Sequence, residues 1–302
     1  MESIEERIQK LKRERGAIII AHNYQPDEVQ AIADFTGDSL ELSRKAAELE
    51  EDVVVFCGVH FMAETAAILS PEKTILLPDR FAGCPMADMI TAEQLRDWKA
   101  EYPGAVVICY VNSSAAVKAE CDLCCTSSNA AKIVASVPED KTILFVPDQH
   151  LGNHVKQLLG RENMLMWDGY CPTHSRIRDV DILSAKEEHP NAVVMAHPEC
   201  PPPIRALADQ LLSTGQMCAF ARESDEQEFI VATEMGILYR LRAENPGKKF
   251  YAPSDRAICP NMKKIDLEKI LWSLEDMQYR VTVPEEIAGK ARHSIEAMLE
   301  LS

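Results

Sequence analysis

Short apolar runs alternate along the chain with segments whose apolar residues recur at helical spacing. Runs such as AIIIA at 17–21 and DVVVFC at 52–57 are separated by stretches such as SLELSRKAAELE, in which apolar residues return every three or four positions. The apolar runs contain few polar residues, which is typical of strands covered on both faces. Parallel strands also need crossovers of a dozen or more residues. The pattern therefore predicts βαβ units with parallel strands.

The same pattern occurs three times. AIIIA begins at residue 17, AVVICY at 105 and AVVMA at 192, so the starts are 88 and 87 residues apart. Similar apolar runs begin at 52, 141 and 228, and again at 74, 164 and 249. We therefore predict an α/β fold of three homologous three-layer αβα sandwich domains with small parallel sheets, arranged with pseudo-threefold symmetry around a central active site. The expected domains are 1–98 with a leading helix, 99–183, and 184–302 with a C-terminal helical tail.

Charge and hydropathy limit the classes of partner. The 302 residues carry a formal net charge of −16, which argues against a broad surface for nucleic acid or anionic lipid. Apolar runs stop far short of the roughly 18 residues that a membrane span needs, and the charged N-terminal segment resembles a helix rather than a signal peptide. We therefore expect a cytoplasmic protein with no nucleic-acid or membrane partner.

Three of the ten cysteines follow the repeat. Cys84, Cys171 and Cys259 each precede a proline just after the third apolar run of their unit, 87 and 88 residues apart. Cysteines in a reducing compartment are free thiols, and three thiolates that meet on one axis are typical of a metal site. Three ligands leave one coordination position open for water or substrate. The sequence therefore predicts an open metal site at Cys84, Cys171 and Cys259.

Thiolate ligands by themselves leave the metal and its role open. They are compatible with zinc, in a hydrolase or a structural site, and with an iron-sulfur cluster, in an enzyme or in an electron-transfer or redox-sensing protein. The Cys121-Asp-Leu-Cys124-Cys125 segment has no partner motif elsewhere, and its cysteines are interpreted as packing residues.

Polar residues also recur in register, in two trios where the first strand of each unit ends and in a third trio that leads into helical segments. The trios are His22, Tyr110 and His197; Tyr24, Asn112 and Glu199; and Ser39, Ser127 and Thr214. Ligands of parallel α/β units bind beyond the carboxyl ends of the strands, so we expect these side chains to form one substrate cavity. The Ser and Thr residues precede helical segments. They are interpreted either as ordinary N-caps or as part of a site for an anionic substrate at helix N-termini.

Taken together, the motifs resemble those of the quinolinate synthase family, which makes quinolinate in NAD biosynthesis. The matching segments are AHNYQ at 21–25, DRFAGCPMA at 79–87, YVNS at 110–113, GYCPTH at 169–174, HPEC at 197–200 and CPNMK at 259–263. The resemblance implies a 4Fe-4S cluster held by Cys84, Cys171 and Cys259 with one open iron. It also implies condensation of iminoaspartate with dihydroxyacetone phosphate to quinolinate, phosphate and two waters. A functional link to an L-aspartate oxidase or aspartate dehydrogenase is a further expectation, although no sequence feature supports it.

The resemblance also assigns residues. It implies substrate contacts at His22, Ser39, Tyr110, Val111, Asn112, Ser127, His197, Pro198, Glu199 and Thr214, and assistance to catalysis by Tyr24 and His174. Among these residue types Glu199 is the best general base, and Tyr24, Tyr110, His22 and His197 are candidate acids or orienting groups. Some longer relatives carry a CxxCxxC segment near the C-terminus, but here Cys259 is followed by Pro-Asn-Met. Thiol-switch regulation through that segment is therefore not expected.

Overall fold

The computed structural model describes residues 2–302 and contains twelve strands and fourteen α-helices within that range. The strands are β1 (Ala17–His22), β2 (Phe35–Gly37), β3 (Val53–Cys57), β4 (Thr74–Leu76), β5 (Val106–Tyr110), β6 (Leu123–Cys125), β7 (Ile143–Val146), β8 (Met164–Met166), β9 (Val193–Ala196), β10 (Gln210–Leu211), β11 (Glu228–Ala232) and β12 (Lys249–Tyr251). The helices are α1 (Ile4–Arg15), α2 (Asp27–Ile32), α3 (Ser39–Glu48), α4 (His60–Leu69), α5 (Ala92–Glu101), α6 (Ala115–Lys118), α7 (Ala130–Ala135), α8 (Gln149–Leu159), α9 (Asp179–Glu188), α10 (Pro202–Leu207), α11 (Thr214–Glu223), α12 (Ile237–Glu244), α13 (Leu267–Asp276) and α14 (Glu285–Glu300).

Three four-stranded sheets have the same topology. Their orders are β2-β1-β3-β4, β6-β5-β7-β8 and β10-β9-β11-β12, and every pair of neighbouring strands is parallel. The central strands are almost wholly buried because helices cover both faces of each sheet, so their apolar runs carry no polar alternation. The predicted fold of three small αβα sandwiches is confirmed. The sheets lie within 17–76, 106–166 and 193–251, whereas the unit boundaries at 98 and 183 stay a prediction.

Each sheet also has a fourth strand that the apolar pattern did not indicate. β2, β6 and β10 contain only two or three residues and lie at one edge, paired with the first strand of the unit. Such short edge strands are held by backbone pairing with a strand that is already buried. They need no apolar run of their own, and the sequence therefore gives no periodic signal for them.

Capping signals fix several helix boundaries. Ser3 and Glu6 form a capping box at the start of α1, which ends at Gly16 with a left-handed φ of 57°. Asp38 caps α3, and Ser213, in the same register of the third unit, caps α11. The helices that follow β2 and β10 therefore begin one residue after a side-chain cap, whereas α7, which follows β6, has no such cap.

The C-terminal tail is helical, as predicted, but it packs away from the sheet that precedes it. α13 contacts α1 and β3 of the first unit, whereas α14 contacts α4, α6 and β6. Buried apolar residues of the first two units and of the tail form one continuous cluster. The third unit has separate clusters on the two faces of its sheet. The tail therefore breaks the threefold pattern and joins the first two units.

Within residues 2–302, no helix has the length and apolar character needed to cross a bilayer.

Replacement of Ile295 by Ala in α14 is expected to lower the free energy of unfolding by about 2–5 kcal/mol, because the side chain is fully buried where the tail joins the first two units. Urea unfolding followed by circular dichroism measures the change. Lys290→Ala in the same helix alters an exposed side chain and should stay within about 0.5 kcal/mol of the parent. Equal stabilities of the two variants would contradict this role of α14.

Candidate active site

Side chains from all three units line one central cavity. Its walls include all three register cysteines and all nine polar residues of the three trios. The lining includes His22, Tyr24, Asp38, Ser39, Cys84, Tyr110, Asn112, Ser127, Cys171, Thr173, His174, His197, Glu199, Thr214, Glu234 and Cys259. Val111 and Pro198 are buried beside the strand ends but do not line this cavity. The carboxyl ends of three separate sheets thus meet at one place.

An equivalent backbone hydrogen bond connects the loop before each cysteine to the start of the helix that follows β3, β7 or β11. An amide at or next to the start of that helix donates to the carbonyl two residues before the cysteine. The three bonds are His60 N to Ala82 O (2.7 Å), Gln149 N to Gly169 O (2.7 Å) and Met235 N to Ala257 O (3.0 Å). Because the bond uses backbone atoms only, it does not depend on which side chains the three loops carry. It holds the three cysteines at equivalent places around the axis.

The backbone amides of Ala87, His174 and Met262, each three positions after a cysteine, act to lower the pKa of the thiols. Burial has the larger effect and raises the pKa of all three thiols, that of Cys84 to about 12. Without a bound cation these groups are therefore protonated at neutral pH.

His22 and His197 end equivalent strands in the same local geometry. In each case the amide two residues later donates to Nδ1, from Tyr24 at 3.2 Å and from Glu199 at 3.3 Å. With Nδ1 accepting, the proton of a neutral ring lies on Nε2. Burial lowers the pKa of His22 to about 4 and that of His197 to about 3. Both histidines are thus neutral hydrogen-bond donors at the cavity wall.

Glu199 is the ionised carboxylate at the centre of a buried network. Its Oε1 accepts from Tyr110 Oη at 2.5 Å, and its Oε2 lies 3.0 Å from His174 Nδ1. Burial tends to raise its pKa, but the neighbouring His174 and the hydrogen bond from Tyr110 outweigh burial and hold the pKa well below the usual value. Burial raises the pKa of Tyr110, so the phenol keeps its proton. A base and an acid therefore share one hydrogen bond.

Thr233 links the two residues that were expected to assist catalysis. Its Oγ1 lies 2.5 Å from Tyr24 Oη and 2.8 Å from His174 Nε2. Burial raises the pKa of Tyr24, which is therefore a neutral phenol. Thr233 does not belong to any of the residue trios, and the sequence pattern contains no signal for it.

The hydroxyl trio does not cap helices. The preceding residues Asp38 and Ser213 are the caps of α3 and α11, so the amides of those first turns are already bonded. The trio hydroxyls are free for other partners: Ser127 Oγ lies 3.1 Å from His197 Nε2, and Thr214 Oγ1 accepts from Asn23 at 2.9 Å. The N-cap interpretation of Ser39 and Thr214 is therefore wrong, and both residues line the cavity together with Ser127.

Two further acids shape the site. Asp38 Oδ2 accepts from Ser128 at 2.6 Å and from Ser213 at 3.1 Å, which joins residues of all three units. Glu234 is fully buried and accepts from the Cys259 amide at 3.0 Å, while Lys263 Nζ lies 3.0 Å from its Oε1. Sequence reasoning missed Glu234. The repeat contains a partial signal for it. Asp148 lies two residues after the end of β7, as Glu234 does after β11, but the equivalent residue after β3 is the apolar Val59.

Two sets of side chains offer metal ligands. Among residues 2–302, a single group of three or more His, Cys, Asp and Glu side chains has ligand atoms all within 4.8 Å of one another, and it consists of Cys171, His174 and Glu199. The three register cysteines do not meet that limit. His174 and Glu199 were expected in catalysis but not as ligands.

Comparison with known proteins agrees with this architecture. The family model described as NadA, quinolinate synthetase A protein, matches residues 6–300. The chain is 57% identical over 301 residues to the quinolinate synthase of Dehalococcoides mccartyi strain 195, covering 100% of this chain and 99% of the relative. It is 53% identical over 296 residues to that of Thermodesulfovibrio yellowstonii, covering 98% and 97%.

Among solved structures, the E-1-hydroxy-2-methyl-but-2-enyl-4-diphosphate reductase of Plasmodium falciparum matches 91% of this chain and 82% of its own at 12% identity. Its TM-score of 0.29 is too low to bear on the fold. The family match and the relatives, by contrast, extend over nearly the whole chain. The chain therefore belongs to the quinolinate synthetase A protein family and is an enzyme.

Proposed function

We propose that this protein condenses iminoaspartate with dihydroxyacetone phosphate to form quinolinate, phosphate and two waters in NAD biosynthesis. The observation that carries the proposal is the single cavity in which three cysteines, one from each unit, face an ionised carboxylate and several neutral donors. Atoms balance without an oxidant or reductant. The site therefore needs groups that move protons and hold anions, rather than a redox cofactor that changes state.

Cys84, Cys171 and Cys259 would hold a 4Fe-4S cluster. Their loops are equivalent, and all three cysteines line the cavity. The backbone amides of Ala87, His174 and Met262 act to lower the pKa of these thiols, which favours the thiolate form that a cluster needs. When bound, a cluster with three protein ligands supplies an open iron that acts as a Lewis acid on a substrate oxygen.

Glu199 is the proposed general base. It is ionised at neutral pH and fully buried, so it can take a proton from a substrate carbon or nitrogen without competition from bulk water. Tyr110 donates to the same carboxylate and can return a proton to a leaving hydroxyl. Tyr24, held through Thr233 and His174, is a second phenol at the same wall. The base and the acids required for two dehydrations thus lie around one space.

Neutral donors would hold the anionic parts of the substrates. The Nε2 protons of His22 and His197, the hydroxyls of Ser39, Ser127 and Thr214, and the side-chain amide of Asn112 line the cavity. Carboxylates and phosphate accept hydrogen bonds from such groups. Holding them by neutral donors avoids the burial of several cations beside the cysteines.

The three register cysteines are expected to be equally necessary. Cys84→Ser, Cys171→Ser and Cys259→Ser should each lose iron and acid-labile sulfide in anaerobically purified protein, together with quinolinate formation, because each removes a cluster ligand. Cys218→Ala changes a buried cysteine of α11 outside the cavity and should keep all three. Normal iron content and turnover in any of the serine variants would refute the assignment.

Tyr110→Phe should lower kcat by about 100-fold, as expected for loss of a proton donor, with a smaller change in KM. Steady-state assay of quinolinate tests this. Tyr251→Phe is a matched control, because it removes another tyrosine-glutamate hydrogen bond, to Glu228 at 3.3 Å, outside the cavity. A Tyr110→Phe enzyme as active as the control would exclude a role for the phenol in proton transfer.

The neutral state of His22 and His197 predicts a pH dependence of stability. Their folded pKa values lie below the unfolded value of about 6.5, so the unfolded chain binds more protons and stability is lost as pH falls from about 6.5 through the folded values. Each histidine contributes up to about 1.4 kcal/mol per pH unit in that window. Urea unfolding of metal-free protein between pH 7.5 and 5 should show a shallower loss for the His22→Asn/His197→Asn double variant. Parallel pH profiles would show that the two rings are already protonated when folded.

A further inference from the structure

We propose that Cys171, His174 and Glu199 form a second metal site, which binds one zinc ion when the cluster is absent and excludes the cluster while zinc is bound. Zinc binding itself stands on the geometry of these three residues. The exclusion of the cluster rests on the proposed function, because Cys171 would belong to both sets of ligands.

The three donors are already close together. Sulfur, imidazole nitrogen and carboxylate oxygen lie within 4.8 Å of one another, and His174 Nδ1 is 3.0 Å from Glu199 Oε2. Ligands of a tetrahedral zinc ion, at bond lengths of about 2.0–2.3 Å, lie roughly 3.3–3.8 Å apart. Small side-chain adjustments would therefore bring all three onto one ion. Sulfur and nitrogen donors favour zinc over magnesium or calcium, which prefer oxygen ligands.

His174 carries the second observation. Its ring is buried, and Nδ1 makes no hydrogen bond, although Glu199 Oε2 lies 3.0 Å away. A buried polar atom without a partner destabilises the folded protein, and a bound ion is one explanation for such an atom. A metal ion among the three donors would use the free nitrogen and neutralise the carboxylate.

Two of the ligands are also held by hydrogen bonds from neighbouring side chains, as metal ligands usually are. His174 Nε2 lies 2.8 Å from Thr233 Oγ1, which leaves Nδ1 as the ring nitrogen that faces the cavity. Glu199 Oε1 is held by Tyr110, which leaves Oε2 toward His174. Both ligands are therefore held in place before an ion arrives, and the binding cost is reduced.

Occupation by zinc has two consequences. Cys171 is one of only three cysteines that line the cavity, so zinc removes a ligand that the cluster needs. Glu199 is the proposed base, so zinc also removes the group that accepts protons. Binding releases the Cys171 thiol proton and involves no change of oxidation state. Zinc-loaded protein would thus be inactive, and it would resist cluster assembly until the ion is withdrawn.

The test uses full-length protein stripped of iron and titrated with Co²⁺, whose thiolate bond absorbs in the near ultraviolet, and then with Zn²⁺ as competitor. We expect one Co²⁺ per chain with thiolate absorption, displaced by Zn²⁺. Cys84→Ser and Cys259→Ser should bind as the parent does. Cys171→Ser should lose the absorption, and His174→Ala and Glu199→Gln should bind at least about tenfold more weakly. Circular dichroism confirms that each variant is folded.

The same variants separate this site from the cluster. Loss of Co²⁺ absorption in Cys84→Ser or Cys259→Ser, or unchanged affinity in His174→Ala, would overturn the proposal, because the ion would then be bound by the three cysteines. Reconstitution with Fe²⁺ and sulfide should succeed in His174→Ala and fail in Cys84→Ser, the reverse of the Co²⁺ result. Prior Zn²⁺ should block reconstitution in the parent but not in His174→Ala; equal assembly in both would overturn the exclusion. A parent that binds Co²⁺ as predicted but assembles no cluster would refute the proposed function and leave the zinc site standing.

Discussion

One buried carboxylate joins the three units at their common axis. Asp38 belongs to the first unit, where it caps α3, and its second oxygen accepts hydrogen bonds from Ser128 of the second unit and Ser213 of the third. The approach is so close that a Cβ atom on Gly215 would lie 2.7 Å from that oxygen. Because the cavity has walls from all three units, its shape depends on their being held together at this point. A buried acid is tolerated there because donors from every side satisfy it.

Around this centre, backbone and side chains have diverged to different degrees. The backbone hydrogen bond that anchors each cysteine loop is the same in all three units, and so is the cysteine itself. The strand ends differ: the first and third units contribute histidine where the second contributes tyrosine, and only the third contributes the carboxylate of Glu199. A metal group with three equivalent ligands requires the same residue at the same position of each unit. A reaction with distinct proton transfers requires different residues at the strand ends. Three copies of one scaffold can provide both the repeated and the differing positions.

Charge is handled differently at the surface and in the cavity. The chain carries a net charge of −16, yet the proposed substrates are anions. Inside, Glu199 is the ionised group of the network, His22 and His197 are neutral, and both tyrosines keep their protons because burial disfavours the charged forms. Neutral donors therefore attract anions over short distances without a cation that would compete for Glu199. In this arrangement Nδ1 of His174 has no hydrogen-bond partner, and a bound metal ion would provide it with one.

The sequence by itself determined the features that repeat locally. Apolar runs 87 and 88 residues apart indicated three parallel units, and residues in register at strand ends and cysteine loops indicated one shared cavity, because equivalent positions of equivalent folds face the same axis. Only the tertiary structure decided which residues meet across units. The packing of α14 on the first two units, the contact of Thr233 with Tyr24, and the group of Cys171, His174 and Glu199 join residues far apart in the chain. Such pairs share no spacing or periodicity, so no pattern along the chain records them.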